Sequence, residues 1–198
     1  MVKYLKRISN KGLIHRPDTE KSLECFVDTD FCGNCNKLTS SKDTSTAKSR
    51  RGYVIRFAGC PIVWGSKLQT KIALSITKAV YVALSKVMRK VISIINIIQE
   101  SREQKSIEAD SKADFHCKVF EDNYGALELA KTPKMRTRTK HINVIHHWFL
   151  EHVWSKTIKI YPISTQHQVA DFFLKSSIYL YIYPYCCLNR GMTITPQL

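Results

Sequence analysis

The chain has 198 residues, of which 44% are hydrophobic and 24% are charged, a composition typical of one globular domain with its own core. The most apolar window, VISIINII, is too short to cross a bilayer and follows three basic residues, so no membrane span is expected. The 31 lysines and arginines against 16 acidic residues give a net charge of +15, which favours a polyanionic partner, with nucleic acid as the first candidate.

The first predicted elements are three strands. Leu23 to Gly33 reads as an apolar strand that ends in acidic residues, Asp28 and Asp30, before a glycine turn. The runs GYVIRFAG and CPIVWGSKLQT are rich in β-branched and aromatic residues, and we place the turn between them at Gly59-Cys60-Pro61. The pattern therefore predicts a single strand followed by a hairpin.

The next predicted element is a long helix from Ser75 to about Gln99. Its apolar residues recur at three- and four-residue spacing, namely Val80, Leu84, Val87, Val91, Ile94, Ile95 and Ile98. The polar stretch from Glu100 to Ala113 is interpreted as a flexible connection whose first residues can extend the helix. HCKVFEDNYGALELAK then predicts a strand running into Asp122, followed by a helix, so the chain is expected to form an α/β sheet domain.

A basic loop precedes the last predicted helix. Its alternating charges are suited to following a phosphate backbone, although a solvated charge run is the alternative; the residues are Lys134, Arg136, Arg138, Lys140 and His141. Trp148 and Phe149 come next, and the helical spacing of Phe149 and Val153 favours a core position for these aromatics.

These segments, together with KMRTRTKHINVIHHWFLEHV and IKIYPISTQHQVADFFLK, resemble the ribonuclease H domain of copia-type retrotransposon polyproteins from Leu23 to Lys175. The resemblance implies an α/β fold, a ribonuclease H-like mixed five-stranded sheet with flanking helices. It divides the chain into a remnant of the connection after reverse transcriptase (1–22), the ribonuclease H-like domain (23–176) and an unmatched apolar tail (177–198). It also implies the reverse transcriptase domain of the parent polyprotein as a partner and a cytoplasmic retroelement particle as the location.

The resemblance further implies cleavage of the RNA strand in RNA–DNA hybrids by two magnesium ions, with manganese as a possible substitute, held by clustered carboxylates. Three of the four matching acids are present: Asp28, Asp122 and Asp171. The fourth is a glutamate in a Thr-Glu-Ala-Glu-Tyr stretch, which here reads TKAVY, so Lys78 replaces it. His167 matches a loop where related enzymes hold a histidine that helps product leave, although a plain exposed histidine is the favoured interpretation.

The change at Lys78 puts an ammonium where a carboxylate should contact a dication. One pair of unit charges at 4 Å is worth about 4 kcal/mol at an effective dielectric of 20, so this change strongly disfavours bound metal. Lys78 can instead act as a counter-ion for the three aspartates. Asp30 is displaced along its strand and Glu121 faces the opposite side of its strand from the site, so neither is expected to replace the missing acid.

We therefore expect a ribonuclease H domain whose catalysis is impaired. The alternatives are a module that binds nucleic acid without cutting it and a retroelement remnant with no function. Seven cysteines without framework spacing indicate a reducing compartment. A zinc site is a further, weaker alternative, built on Cys32 and Cys35 with ligands from His146-His147 or Cys186-Cys187.

Overall fold

The computed structural model describes residues 11–18, 20–33, 43–104, 116–131, 148–174 and 192–196. Its strands are β1 (Lys11–His15), β2 (Leu23–Asp30), β3 (Arg50–Phe57), β4 (Cys60–Leu68), β5 (Cys117–Glu121), β6 (Ile158–Pro162) and β7 (Met192–Pro196). The α-helices are α1 (Ile76–Gln104), α2 (Tyr124–Lys131) and α3 (Leu150–Trp154). Short 3-10 helices span Thr44–Ala47, Thr165–His167 and Val169–Phe173. No helix in these ranges is long and apolar enough to span a bilayer.

The main sheet has five strands in the order β4-β3-β2-β5-β6. Strands β2, β3 and β4 pair antiparallel, whereas β5 is parallel to β2 and β6 is parallel to β5. This confirms the predicted mixed five-stranded sheet. Because the carboxyl ends of β2, β5 and β6 meet at one edge, residues that follow these strands lie near one another.

The β3–β4 hairpin differs from its prediction in the position of the turn. Ala58 and Gly59, both with positive φ, form a two-residue turn, and Cys60 already begins β4. Positive φ at both positions gives the backbone twist that joins two strands tightly, and glycine accepts that conformation without strain. Pro61 therefore lies inside β4, where it is tolerated because β4 is an edge strand and the register shifts at this point.

Helix α1 covers one face of the sheet. Five of the helical residues predicted to share a face are buried, namely Val80, Leu84, Val87, Val91 and Ile95. All of these except Val80 pack on alternate residues of the strands, including Cys25, Val27, Val119 and Ile158, to form the main core. The helix continues through Glu100–Gln104, which confirms that the first residues of the polar stretch extend it; residues 105–115 lie outside the described part of the chain.

Phe149 belongs to this main core, as its helical spacing predicted. It is fully buried, and its ring lies 5.4 Å from that of Tyr81 on α1. Trp148 is partly buried and donates a hydrogen bond from Nε1 to Ser85 Oγ over 3.1 Å. These contacts fasten the start of α3 to the middle of α1.

The two ends of the described chain form a separate two-stranded sheet. Strand β1 pairs antiparallel with β7, with Leu13 opposite Ile194. These strands lie in the predicted N-terminal connection and the predicted apolar tail, and no sequence pattern predicts that the two segments pair. The domain limits at residues 22 and 176 stay a prediction.

Candidate active site

Three predicted acids lie at the carboxyl edge of the sheet. Asp28 is near the end of β2, Asp122 directly follows β5, and Asp171 lies in the Val169–Phe173 3-10 helix. The Asp28 carboxylate accepts a hydrogen bond from Thr29 N over 2.6 Å. The pKa of Asp28 is raised to about 7, mainly by burial and also by the negative charges of Asp122, Asp171 and Asp30, although the hydrogen bond from Thr29 N lowers it. The fold thus brings the three predicted acids into one electrostatic group.

Asp122 and its neighbour Asn123 connect β5 to α2. Thr165 Oγ1 donates a hydrogen bond to Asp122 Oδ2 over 3.0 Å, which joins the end of β5 to the segment after β6. Asn123 Oδ1 accepts a hydrogen bond from Ala126 N over 2.9 Å and so caps α2. The side chains of Asp122 and Asn123 therefore both form hydrogen bonds that fix the backbone at this edge of the sheet.

Glu121, which was predicted only to face the opposite side of its strand from the site, is a fully buried carboxyl. It lies on the α1 face of β5 with Cys117 and Val119, which is the opposite side from Phe120. Burial raises the pKa of Glu121 well above its usual value; the Asn123 N–H bond lowers it, and the charges of Asp122 and Asp28 raise it again. A carboxyl in this environment favours its protonated form, so Glu121 adds a polar group to the site without the charge of a free carboxylate.

Asp171 is positioned by a buried glutamine that sequence patterns did not single out. Gln168 Nε2 donates to Val27 O on β2 over 2.9 Å, and Gln168 Oε1 accepts from Ala170 N over 3.3 Å. One side chain therefore fixes the Val169–Phe173 helix against the strand that carries Asp28. Gln168 immediately follows His167, but a sequence pattern gives no indication of which of two adjacent polar residues is buried.

Gly52 lets the same 3-10 helix approach the sheet. It lies opposite Asp28 in the β2–β3 register, and a Cβ at this position would come within 2.6 Å of Ala170 O. Because that neighbour is backbone, a methyl group fits only if the helix carrying Asp171 moves away. Gly52 is thus a requirement for the placement of Asp171 beside Asp28.

Gly52→Ala is expected to destabilise the protein by about 2 kcal/mol because it overpacks this contact. The measurement is urea unfolding followed by circular dichroism. Gly65→Ala is the matched control, since its Cβ would meet the end of the Tyr53 side chain instead of backbone. Equal losses in the two variants would contradict the close approach at Gly52.

Lys78 lies in the first turn of α1 and is partly buried. Its backbone N–H donates to Ser75 Oγ over 3.2 Å, so Ser75 caps the helix and Lys78 occupies the third helical position. The preceding residue, Thr77, contacts the start of α2, because a Cβ on Gly125 would lie 2.9 Å from Thr77 Oγ1. The helix start that carries Lys78 therefore borders the end of β5.

The expected counter-ion role of Lys78 is not seen at Asp28. Among the described residues no ion pair within 4.0 Å joins Lys78 to Asp28 or Asp122, and Lys78 does not contribute to the pKa shift of Asp28. The first turn of α1 contains no acidic residue, so the positive charge also faces the positive end of the helix dipole. Asp28 and Asp122 thus lack the compensation that Lys78 was expected to give.

The residues present do not fit a two-magnesium site. No three His, Cys, Asp or Glu side chains of the described ranges are grouped closely enough to hold a metal ion together. Lys78 supplies no oxygen ligand at the position where the resemblance implies one. Asp30 lies on the same face of β2 as Asp28 but two residues further along, and it does not complete such a group.

The remaining predicted site residues have different outcomes. His167 is exposed in the Thr165–His167 helix, and its Nδ1 is hydrogen bonded to Ser164 Oγ over 2.8 Å. The predicted nucleic-acid-binding residues lie outside the described part of the chain: Lys134, Arg136, Arg138, Lys140 and His141. Of the alternative zinc ligands, only Cys32 lies within it, and its Sγ donates a hydrogen bond to Ala47 O over 3.5 Å.

Comparison with known proteins gives relatives and fold neighbours, although no family model matches the sequence. The chain is 33% identical over 154 residues to the retrovirus-related Pol polyprotein from transposon TNT 1-94 of Nicotiana tabacum, covering 77% of the chain and 10% of that protein. It is 26% identical over 175 residues to the corresponding polyprotein from transposon RE2 of Arabidopsis thaliana, covering 88% of the chain and 11% of that protein. The chain therefore spans about a tenth of these relatives.

Among solved structures, the LC11 ribonuclease H1 isolated from compost matches with a TM-score of 0.50. The match covers 77% of this chain and 92% of that protein at 16% sequence identity. At this level of identity the likeness concerns the fold, and it agrees with the five-stranded sheet and flanking helices described above.

Proposed function

This chain belongs to the copia-type retrotransposon Pol polyproteins, in which it is the ribonuclease H-like domain, and from that membership we propose that it binds RNA–DNA hybrids but does not cleave them. The observation that carries the proposal is Lys78 at the start of α1, beside an edge where Asp28, Asp122 and Asp171 interact electrostatically. Three of the four acids that the resemblance implies for a hybrid ribonuclease are present, whereas the fourth position carries the positively charged Lys78.

The loss of cleavage follows from the state of the carboxylates. In enzymes with two magnesium ions the metals activate water and stabilise the leaving oxygen, which requires ionised oxygen ligands around them. Here burial and mutual repulsion raise the pKa of Asp28 to about 7. Lys78 adds a positive charge near this edge, and a dication would have to overcome both the bound proton and that charge.

The proposed binding function rests on charge. A net charge of +15 over 198 residues favours a polyanion, and phosphate contacts supply most of the affinity of such proteins for nucleic acid. We assign the hybrid contacts to the basic segment of the sequence that contains Arg138 and Lys140. The proposed setting is a cytoplasmic retroelement particle, with the reverse transcriptase domain of the parent polyprotein as neighbour. The buried core on both faces of the sheet supports a folded binding module over a decayed remnant.

The test is hybrid binding and cleavage by the native chain. We expect salt-dependent binding of a labelled RNA–DNA hybrid, with the slope of log affinity against log salt reduced by about 1.8 in Arg138→Gln/Lys140→Gln. The matched control is Lys86→Gln/Lys90→Gln on α1, which removes the same charge elsewhere. No RNA fragments are expected in magnesium or manganese. Cleavage by the native chain that Asp122→Asn abolishes would contradict the proposal.

A further inference from the structure

We propose that the α1 face of the sheet carries a binding site for a phosphate group, built from Arg51, Lys67 and the hydroxyls of Thr29 and Ser49. This site lies on the opposite face of the sheet from Asp28, and the inference does not depend on the proposed hybrid binding. It rests on strand register, burial, charge and two buried hydroxyls.

Strand register brings the four side chains together. Arg51 on β3 lies opposite Thr29 on β2 and opposite Lys67 on β4, so the three residues form a row across the sheet. Paired side chains point to one face with their Cβ atoms about 5 Å apart. Ser49 directly precedes β3, and its carbonyl accepts a hydrogen bond from Gln69 N over 2.8 Å. Because Ser49 is two residues from Arg51, alternation along the strand places it beside the row on the same face.

The row faces α1 and not the aspartates of the candidate active site. Tyr53, two residues after Arg51, belongs to the main core under α1. Gly52, between them, faces the Val169–Phe173 helix on the other side, where it lies opposite Asp28. Because successive residues of a strand point to alternate faces, Arg51 and Asp28 are on opposite sides of the sheet. The proposed phosphate site is therefore separate from the candidate active site.

Arg51 is a partly buried cation, and none of the described residues forms an ion pair with it. Burial lowers the pKa of its guanidinium, and no carboxylate in the described ranges raises this pKa again. Strands β3 and β4 contain no Asp or Glu, and the acids of β2 alternate with its core residues and so point to the other face. A guanidinium keeps its charge in proteins, so its desolvation is unfavourable unless an anion binds to it.

Two buried hydroxyls beside Arg51 lack a hydrogen-bond partner within the part of the chain that the structure describes. Thr29 is 8% exposed and Ser49 is fully buried, and the unpartnered atoms are Thr29 Oγ1 and Ser49 Oγ. A buried hydroxyl without a partner is unfavourable, and such groups are rare in native proteins. Each hydroxyl can donate to an anion's oxygen, so one anion with several oxygens satisfies both hydroxyls and the guanidinium.

A phosphate group suits these donors better than a carboxylate does. It offers more oxygens than a carboxylate, and the planar guanidinium can donate to two of them at once. Lys67 is exposed at the β4 end of the row, so its ammonium can contact a bound anion from the solvent side. The ligand we infer is therefore a phosphate group, whether the terminal phosphate of a nucleotide or a backbone phosphate of nucleic acid.

The test measures thermal unfolding of the full 198-residue chain by circular dichroism with and without inorganic phosphate, at an ionic strength kept equal with sodium chloride. We expect about 50 mM phosphate to raise the melting temperature by at least about 3 °C, because it binds the native state. Arg51→Gln should lose most of this rise. Arg50→Gln is the matched control and should keep it, because Arg50 is the adjacent residue of β3 but lies opposite Asp30 on the other face.

Two further variants separate phosphate binding from a structural role. Thr29→Val removes an unpaired buried hydroxyl with little change of shape. It should therefore raise the melting temperature without phosphate but reduce the rise that phosphate causes. Lys67→Gln changes an exposed side chain and should also reduce this rise, which keeps the test valid if Arg51→Gln does not fold.

The source of the phosphate is identified with one short RNA in its 5′-phosphorylated and 5′-hydroxyl forms. Tighter binding of the phosphorylated form indicates a terminal phosphate. Equal binding, with a salt slope lowered by about 0.7 in Arg51→Gln, indicates a backbone phosphate. Equal rises of the melting temperature in Arg51→Gln and Arg50→Gln would overturn the proposal. The absence of any rise in the native chain would also overturn it.

Discussion

Asp28→Asn is expected to stabilise the protein by about 3 kcal/mol at pH 8 and to have little effect at pH 4. The pKa of Asp28 is raised from 3.8 to about 7 in the folded protein, mainly by burial. Between these pH values the native state binds more protons than the unfolded state, so stability falls as pH rises through this range. This difference between the folded and unfolded pKa corresponds to a loss of about 4 kcal/mol in the free energy of unfolding above pH 7. Partial solvation of the Asp28 side chain reduces that loss.

The asparagine side chain keeps an oxygen that accepts the hydrogen bond from Thr29 N but cannot ionise. The substitution therefore removes only the free-energy cost of a buried negative charge. Urea unfolding of both proteins at pH 4, 6 and 8 measures the effect. The repeat at pH 8 with added magnesium is the control, because a metal bound by Asp28 would stabilise the native protein and reverse the order. A constant difference between the two proteins across pH would contradict the raised pKa of Asp28.

Much of the fold is predictable from the sequence because its signals are local. An apolar run identifies β2, richness in β-branched and aromatic residues identifies the β3–β4 hairpin, and three- and four-residue spacing identifies α1. The limits of these elements are less well determined. The turn at Ala58-Gly59 and the extension of α1 through Glu100–Gln104 depend on backbone geometry and helix propensity, which override the polarity that suggested a loop.

The candidate site is only partly predictable. The acids Asp28, Asp122 and Asp171 follow from motif resemblance, but the features that position them depend on contacts between distant segments. Gly52 is needed because the backbone of Ala170 packs on it, and Gln168 is needed because it bonds to Val27. Glu121 is buried because it is the last core-facing residue of β5. The pairing of β1 with β7 is likewise a long-range contact that no local pattern indicates.

Lys78→Glu is expected to give the protein hybrid cleavage at least about 100-fold above the native chain, a difference of about 2.7 kcal/mol in activation free energy. The substitution replaces an ammonium by a carboxylate at the position where the resemblance implies a metal ligand. It also completes a Ser-x-x-Glu capping pattern with Ser75 and puts a negative charge at the helix start, which favours a folded first turn of α1.

Lys78→Gln is the control that separates charge from ligation. It removes the positive charge and fits the same capping pattern, but it offers no carboxylate to a metal. We therefore expect Lys78→Gln to match Lys78→Glu in helix stability to within about 0.5 kcal/mol and to show no cleavage. Comparable cleavage by the two variants would indicate that relief of the charge alone restores the site.

Lys78 is the one departure from the four-acid set that the resemblance implies, and its effect is tested most directly by cleavage of a labelled RNA–DNA hybrid in magnesium and manganese. The proteins compared are the native chain, Lys78→Glu and Lys78→Glu/Asp122→Asn. The account predicts that only Lys78→Glu cleaves the RNA strand. Cleavage by the native chain, or no cleavage by a Lys78→Glu protein that folds and binds the hybrid, would contradict it.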